Sequence, residues 1–245
     1  MTKIVDEPRG WRLERDDGLI RASTYDGVGA FGDSRPAASA RHSNPSWCLV
    51  LASDGEIVVD GERLAGALIP PLVSHEGGGT GGFVSLYIAP WLVGGPSRIT
   101  PLTTAQARRY LDALSDDWDL TAVRHQVRAE FGAAPPLDPR IAHVVRHLGE
   151  IDDIAGVASD VGLSAPRLRA LAGQNLGVPL VGLRQWSRLR TAVAVLGLTS
   201  ITDAAAVAGF SDQAHLTRSM QRMLGRSPGS LLSPRRSARA AGHLP

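Results

Sequence analysis

The sequence contains one cysteine, Cys48, among 245 residues. A lone thiol closes no internal disulfide and builds no thiolate metal site, so neither device is expected to hold this fold together. Long apolar runs are also missing. Stretches such as Cys48 to Ala52 fall far short of the ~20 residues that cross a bilayer. The start, Met1 to Asp17, is charged and has no apolar centre; no secretory signal is read there, and the cytosol is the expected compartment. No dinucleotide fingerprint and no hydrolase nucleophile motif occurs. The glycine-rich run EGGGTGG (76–82) lacks the Lys-Ser/Thr of a phosphate loop and precedes a strand, so it reads as a flexible loop. What is present, 43% hydrophobic and 20% charged residues, describes one large globular domain or two ordinary ones and excludes a disordered chain or a fibre.

The net charge of +2 conceals an asymmetry. Residues 1–137 carry 13 Lys+Arg against 17 Asp+Glu, a charge of −4, and residues 138–245 carry 13 Arg against 7 Asp+Glu, a charge of +6. An acidic half joined to a basic half at Pro135-Pro136 suggests two domains with different partners, and a basic domain attracts nucleic acid first. Three of the basic residues, Arg235, Arg236 and Arg239, fall in the C-terminal tail.

The hydrophobic period changes along the chain. Trp47-Cys48-Leu49-Val50-Leu51, Glu56-Ile57-Val58-Val59, Ala67-Leu68-Ile69 and Phe83-Val84-Ser85-Leu86-Tyr87-Ile88 are short apolar runs. They are separated by Asp54-Gly55, Asp60-Gly61 and Pro70-Pro71, which supply positive φ or remove amide donors. Short strands with frequent turns predict an antiparallel sandwich or barrel. After Pro101 the period becomes 3.6. Thr103 or Thr104 is placed to cap a helix reaching about Leu114. Leu120, Val123, Val127 and Phe131 form a helical stripe. Ala133 to Pro139 breaks the chain, and helices resume with Ile141, Val144, Val145 and Leu148.

The helical half repeats itself. Ile154 to Ala158, Val161-Gly162-Leu163-Ser164, Leu168 and Leu176-Gly177-Val178-Pro179 have counterparts in Thr202 to Ala208, Gly209-Phe210-Ser211, Leu216 and Leu224-Gly225-Arg226-Ser227-Pro228. In each copy Gly makes the tight turn, the apolar residue plugs the space between helices, and Ser caps the next helix. This is a helix-turn-helix written twice, joined by a helix bearing Leu183, Trp186, Leu189, Val193 and Leu196. Arg184, Arg188 and Arg190 on that helix read as structural or solvent-facing. Asp153 and Asp203 read as helix-start residues that favour the N-terminal dipole.

The stretch ITDAAAVAGFSDQAHLTRSMQRMLGRSP (201–228) resembles the second helix-turn-helix of AraC/XylS-type transcriptional regulators. Gly209, Phe210, Leu216, Arg218, Gly225 and Pro228 carry the pattern, and the resemblance runs from about Pro139 to Leu232. The first copy departs from it at Pro166, Ala170, Ala172 and Gly173. The first half resembles the cupin-like sensor domain often fused to this unit, with Arg41-His42, Trp47, Asp54-Gly55, Pro70-Pro71 and His75 in order. Metal-binding cupins supply His-x-His, a carboxylate and a later His; here only His42 and His75 remain, so no metal is expected.

The resemblance therefore implies an α+β protein. A cupin-like antiparallel β barrel or sandwich occupies residues 1–98. Linker and dimerisation helices span 99–137. An all-α DNA-binding domain spans 138–236, its two helix-turn-helix motifs near 154–173 and 203–223. It implies contacts to double-stranded operator DNA from Arg167, Arg169, Gln213, His215 and Arg218, because guanidinium and amide groups pair with base edges or hold phosphates. His42, Trp47 and His75 are the candidate effector pocket. No catalytic residue, cofactor or membrane contact is expected. A small-molecule effector, a homodimer joined through the Leu120–Phe131 stripe (which can instead pack on its own sheet domain) and, for an activator, RNA polymerase are the further partners it admits. The alternative is a cupin-type metal-dependent enzyme with a helical assembly domain.

Overall fold

A computed structural model describes residues 9–15, 18–25, 27–148 and 153–232, with side chains from residue 19 onward. The tail with Arg235, Arg236 and Arg239, and residues 1–8 and 16–17 of the charged start, lie outside the described residues.

Two antiparallel sheets face each other. The larger has seven strands in the order β1 (Arg9–Arg15), β2 (Gly18–Tyr25), β3 (Val28–Asp33), β10 (Phe83–Ile88), β5 (Trp47–Ala52), β8 (Gly66–Ile69) and β11 (Thr100–Leu102). The smaller has four, in the order β4 (Ala37–His42), β9 (His75–Gly79), β6 (Ile57–Val59) and β7 (Glu62–Leu64). β11 pairs with β8, so the sheet domain extends past residue 98.

The two Asp-Gly turns do different work. Asp60-Gly61 joins β6 to β7 as a two-residue hairpin with φ of 47° and 88°, the double positive φ that matches strand twist. Asp54-Gly55 instead carries the chain from one sheet to the other, since β5 and β6 do not pair. The run EGGGTGG is not a free loop. Glu76 to Gly79 belong to β9, paired on one side with β4 and on the other with β6. Its glycines serve close approach: a Cβ on Gly77 would sit 2.3 Å from the Val58 carbonyl oxygen, and one on Gly78 2.0 Å from that of Ala37.

Strand parity sorts the core. Trp47, Leu49 and Leu51 of β5 and Val84, Leu86 and Ile88 of β10 share one face, and Cys48, Val50, Phe83, Ser85 and Tyr87 take the other, as a period of two requires. The first face is covered by α1 (Thr104–Leu114) and α2 (Leu120–Phe131). Thr103 caps α1 in a reciprocal box with Gln106, and the Tyr110 hydroxyl donates to Glu130 at 2.7 Å, tying the two helices together. Val123 and Val127 are fully buried in this core. The Leu120–Phe131 stripe thus finds its apolar partner on its own sheet rather than on a second chain, because that sheet face would otherwise stand open.

Beyond Asp138 the chain is helical, with α3 (Pro139–Arg146), α4 (Ile154–Asp160), α5 (Ala165–Leu176), α6 (Leu180–Leu196), α7 (Ile201–Val207), α8 (Gln213–Leu224) and α9 (Pro228–Leu232). α3, α4, α5 and the start of α6 enclose a core of their own around Ile141, Val144, Leu168 and Leu183. The second unit has no separate core. Trp186, Leu189, Phe210, Leu216 and Met220 are continuous with Ile20, Phe31, Ile57 and Phe83 of the sheets. No helix among the described residues is long and apolar enough to cross a membrane.

Candidate nucleic-acid interface and ligand cavity

Each repeat builds a short helix, a turn and a second helix from the same local rules. Gly162 (φ 67°) and Gly209 (φ 71°) sit in the left-handed region at the turns, and Gly177 (φ 67°) and Gly225 (φ 66°) terminate α5 and α8 in that region. Glycine enters it without the Cβ penalty. Ser164 caps α5 by accepting from the Arg167 amide. In the second unit the expected cap shifts by one residue: Asp212, not Ser211, caps α8 through the His215 amide. A carboxylate there also offsets the positive end of the helix, and those amide bonds hold the Asp212 carboxyl below its ordinary range.

Leu168, Leu171 and Leu176 turn one face of α5 inward, and Leu216, Met220 and Met223 do so for α8. The opposite faces carry the candidate contacts. Arg167 and Arg169 on α5, and Gln213 and Arg218 on α8, are exposed. Gln213 accepts a hydrogen bond from the Thr202 hydroxyl at 3.2 Å. His215 is held differently: its ring meets Phe210 edge-on at 5.1 Å, and Nδ1 lies 3.2 Å from the Ser211 hydroxyl. Gln221 and Arg222 are exposed on the same helix and extend this polar surface; their place follows from the i, i+4 spacing to Thr217 and Arg218.

α6 braces the assembly. The Gln185 amide donates to Ser219 at 3.1 Å, and Arg188 donates to the Gly209 carbonyl at 3.4 Å, fixing the second turn. One face of the same helix, Trp186, Leu189, Arg190, Val193 and Ala194, closes a cavity of about 110 Å³ between the two sheets. The end of α8 is sewn to β4 and the residues after it. The amides of Ala40 and Ser43 donate to the carbonyls of Gly225 and Arg222 at 3.0 and 3.3 Å. Arg226 is buried beside Asp33, at 4.0 Å, while Arg35 pairs with the same carboxylate at 2.9 Å.

His42 and His75 both line this cavity, their ring centroids 4.3 Å apart. Each Nδ1 faces a backbone carbonyl, Ala40 at 2.9 Å and Val73 at 3.1 Å, so each ring donates from Nδ1 and, when neutral, leaves Nε2 as an acceptor. Burial lowers the pKa of both, and repulsion from His75 helps take His42 down to about 4. Trp47 is not with them. It shares the parity of Leu49 and Leu51 and lies on the helix-covered face, where its ring stacks over Gly95. Its neighbour Cys48 faces the cavity, and burial raises that thiol to about 12, which leaves it protonated and unreactive. Arg190, expected to be structural or solvent-facing, is instead a cavity residue; the signal was its place on the Trp186–Leu189–Val193 face of α6. No group of three or more His, Cys, Asp or Glu positioned to hold a metal occurs among the described residues.

Residues 157–233 match a family model described as a helix-turn-helix domain. The arabinose operon regulatory proteins of Escherichia coli (strain K12) and Salmonella typhimurium (strain LT2) are each 34% identical over 101 residues, covering 38% of this chain and 35% and 36% of theirs. The chain thus spans about a third of the length of the curated relatives it matches. Among solved structures, ToxT from Vibrio cholerae with an unsaturated fatty acid bound is similar at a TM-score of 0.52 and 10% identity, over 83% of this chain and 93% of that one. ToxT bound to (E)-4-(8-methylnaphthalen-1-yl)but-3-enoic acid gives 0.52 at 8% identity, over 83% and 96%. These likenesses show a shared fold across both the sheet and the helical parts.

Proposed function

From a C-terminal helix-turn-helix domain of the AraC type, we infer that the chain is a transcriptional regulator that binds operator DNA with both helix-turn-helix units. The observation that carries this reading is the pair of helices α5 and α8, each buried on one side and polar on the other, held on the single strut α6. Arg167 and Arg169 contact DNA from the first unit, and Gln213 and Arg218 from the second. His215, packed on Phe210, is better placed to hold α8 and meet a phosphate than to read a base. The cavity under α6 is the effector site, with His42 and His75 in its wall. The ToxT structures with small-molecule ligands support an effector of that kind. A regulator of this type works in the cytoplasm, and a second copy or RNA polymerase would join it on DNA.

The cupin-enzyme alternative gains no support from the donor set, since among the described residues His42 and His75 have no third ligand beside them, and two histidines do not make a catalytic metal site. The reading is tested by selecting DNA from a random pool with the full chain, followed by genome-wide footprinting. Recovery of one recurrent asymmetric sequence supports it. Binding with no sequence preference, lost equally from all DNA as salt rises, refutes it.

A further inference from the structure

Among the described residues, the cavity holds a cation with no anion paired to it. Arg190 reaches it from α6, with Nη2 donating to the Thr24 hydroxyl and, at 3.1 Å, to the Val28 carbonyl. Both acceptors are neutral. Its Nε is sealed from solvent and has no hydrogen-bond partner, and no carboxylate pairs with the side chain among the described residues. Gly29 lies directly against it, a Cβ there standing 3.4 Å from Nε. Desolvation lowers the guanidinium pKa to about 10, and an anion beside it would reverse that penalty. The other cation in the wall, Arg226, already has Asp33. A buried donor with an unused N–H is rare in folded proteins and points to a missing partner.

The rest of the wall states what that partner looks like. Its larger part is apolar, including Phe31, Val50, Phe83 and Leu189. The two histidines, neutral and donating from Nδ1, present acceptor Nε2 atoms with no protein partner among the described residues. Such acceptors repel a carboxylate and receive a hydroxyl. The volume of about 110 Å³ is somewhat below the ~150 Å³ of an apolar cavity that takes one benzene ring, which limits the ligand to a single small ring or a short chain. We propose that the cavity binds a short hydroxylated monocarboxylate, its carboxylate on Arg190 and its hydroxyl on Nε2 of His42 or His75. This rests on the effector-controlled regulator reading and adds the effector's chemical class. It also supplies the route of control. Arg190 lies on the strut between the two DNA-binding units and already ties α6 to β2 and β3, so an anion paired with its guanidinium strengthens that tie.

The test is calorimetric titration of the full chain with 4-hydroxybenzoate, 3-hydroxybutyrate, 4-hydroxybenzamide and palmitoleate, with thermal melts alongside and DNA affinity measured with and without each. At least one of the two small acids should bind and raise the melting temperature. For 4-hydroxybenzoate binding, the amide and the Arg190→Gln variant should each weaken affinity by roughly tenfold or more, the loss of a charge-assisted contact. Should that variant fail to fold, the acid-against-amide comparison and the small-acid-against-palmitoleate comparison on the unaltered protein decide the matter. Equal binding of acid and amide, binding of palmitoleate but of neither small acid, or no binding by any small acid to a protein that still selects its DNA would overturn the proposal while leaving the regulator reading intact. Acid binding that needs Arg190, in a protein without DNA preference, would uphold the site and overturn its role in controlling DNA binding.

Discussion

Acidification should loosen this protein through the histidine pair before it protonates most carboxylates. In the folded chain His42 holds a pKa of about 4, against 6.5 for an exposed imidazole. Burial is the main cause, the facing His75 adds to it, and the bond to the Ala40 carbonyl opposes it. Above pH 6.5 both folded and unfolded states keep His42 neutral, and its contribution does not vary. Below 6.5 the unfolded chain binds a proton that the folded chain refuses, so stability falls as pH falls, and the loss levels off near pH 4. The full span is worth about 3 kcal/mol at 1.36 kcal/mol per unit, and about 2 kcal/mol of it is gone by pH 5. His75 shifts in the same direction and steepens the effect. Nearby charges modulate His75, with Asp60 raising its pKa and Arg41 lowering it. The assay is urea unfolding at pH 7.5, 6.5, 5.5 and 5.0, for the unaltered chain and for His42→Leu. The variant is less stable at pH 7.5, having lost a hydrogen bond, but the gap should narrow by about 2 kcal/mol between pH 7.5 and 5.0. Parallel pH profiles for the two proteins would refute the assignment of this destabilisation to His42.

Three further outcomes are expected. Arg218→Ala should weaken specific DNA binding by ~1–3 kcal/mol with an unchanged melting temperature, because the side chain is exposed on α8; fluorescence anisotropy with a melting control measures both. Asp33→Asn should cost about 3 kcal/mol in urea unfolding, since it leaves Arg226 and Arg35 without their shared buried carboxylate. Gly225→Ala should destabilise more than Gly177→Ala, although both residues have nearly the same positive φ. A Cβ at 225 would meet the Ala40 carbonyl oxygen at 2.2 Å, whereas one at 177 meets nothing within 4 Å. The second substitution should cost only the left-handed penalty of ~1 kcal/mol, the first ~2 kcal/mol or more.

The helical half is legible in the sequence because its rules are short-range. A glycine with positive φ, an apolar plug and a capping side chain lie within a few residues of one another, and the repeat displays them twice. The cap on α8 falls one residue away from its expected place because Ser211 and Asp212 both suit that role, and only the backbone decides between them. The glycine run at 76–82 misleads because composition does not distinguish a glycine that gives freedom from one that lets strands approach. The stripe at Leu120 to Phe131 declares an apolar face but not its partner, which is the sheet face of Leu49 and Leu86. Trp47 reads as a cavity residue for a related reason. β5 and β10 are buried on both faces, so the alternation that tells inside from outside is erased. The cavity itself has no local signature. Its decisive contact joins Arg190 to Thr24, 166 positions apart, and the charge split between the two halves hides the fact that the second helix-turn-helix unit shares its core with the sheets.

The central claim is that one chain reads DNA through two different recognition helices fixed on one strut. α6 has 17 residues, about 25 Å at 1.5 Å per residue. With the flanking helices added, that reach suits successive major grooves about 34 Å apart. Hydroxyl-radical footprinting of the full chain on its selected site, paired with stoichiometry from analytical ultracentrifugation, tests it most directly. One chain should protect two adjacent major-groove segments on one face of an asymmetric site. Protection of a single groove segment per chain, with two chains required on a perfect palindrome, would contradict it.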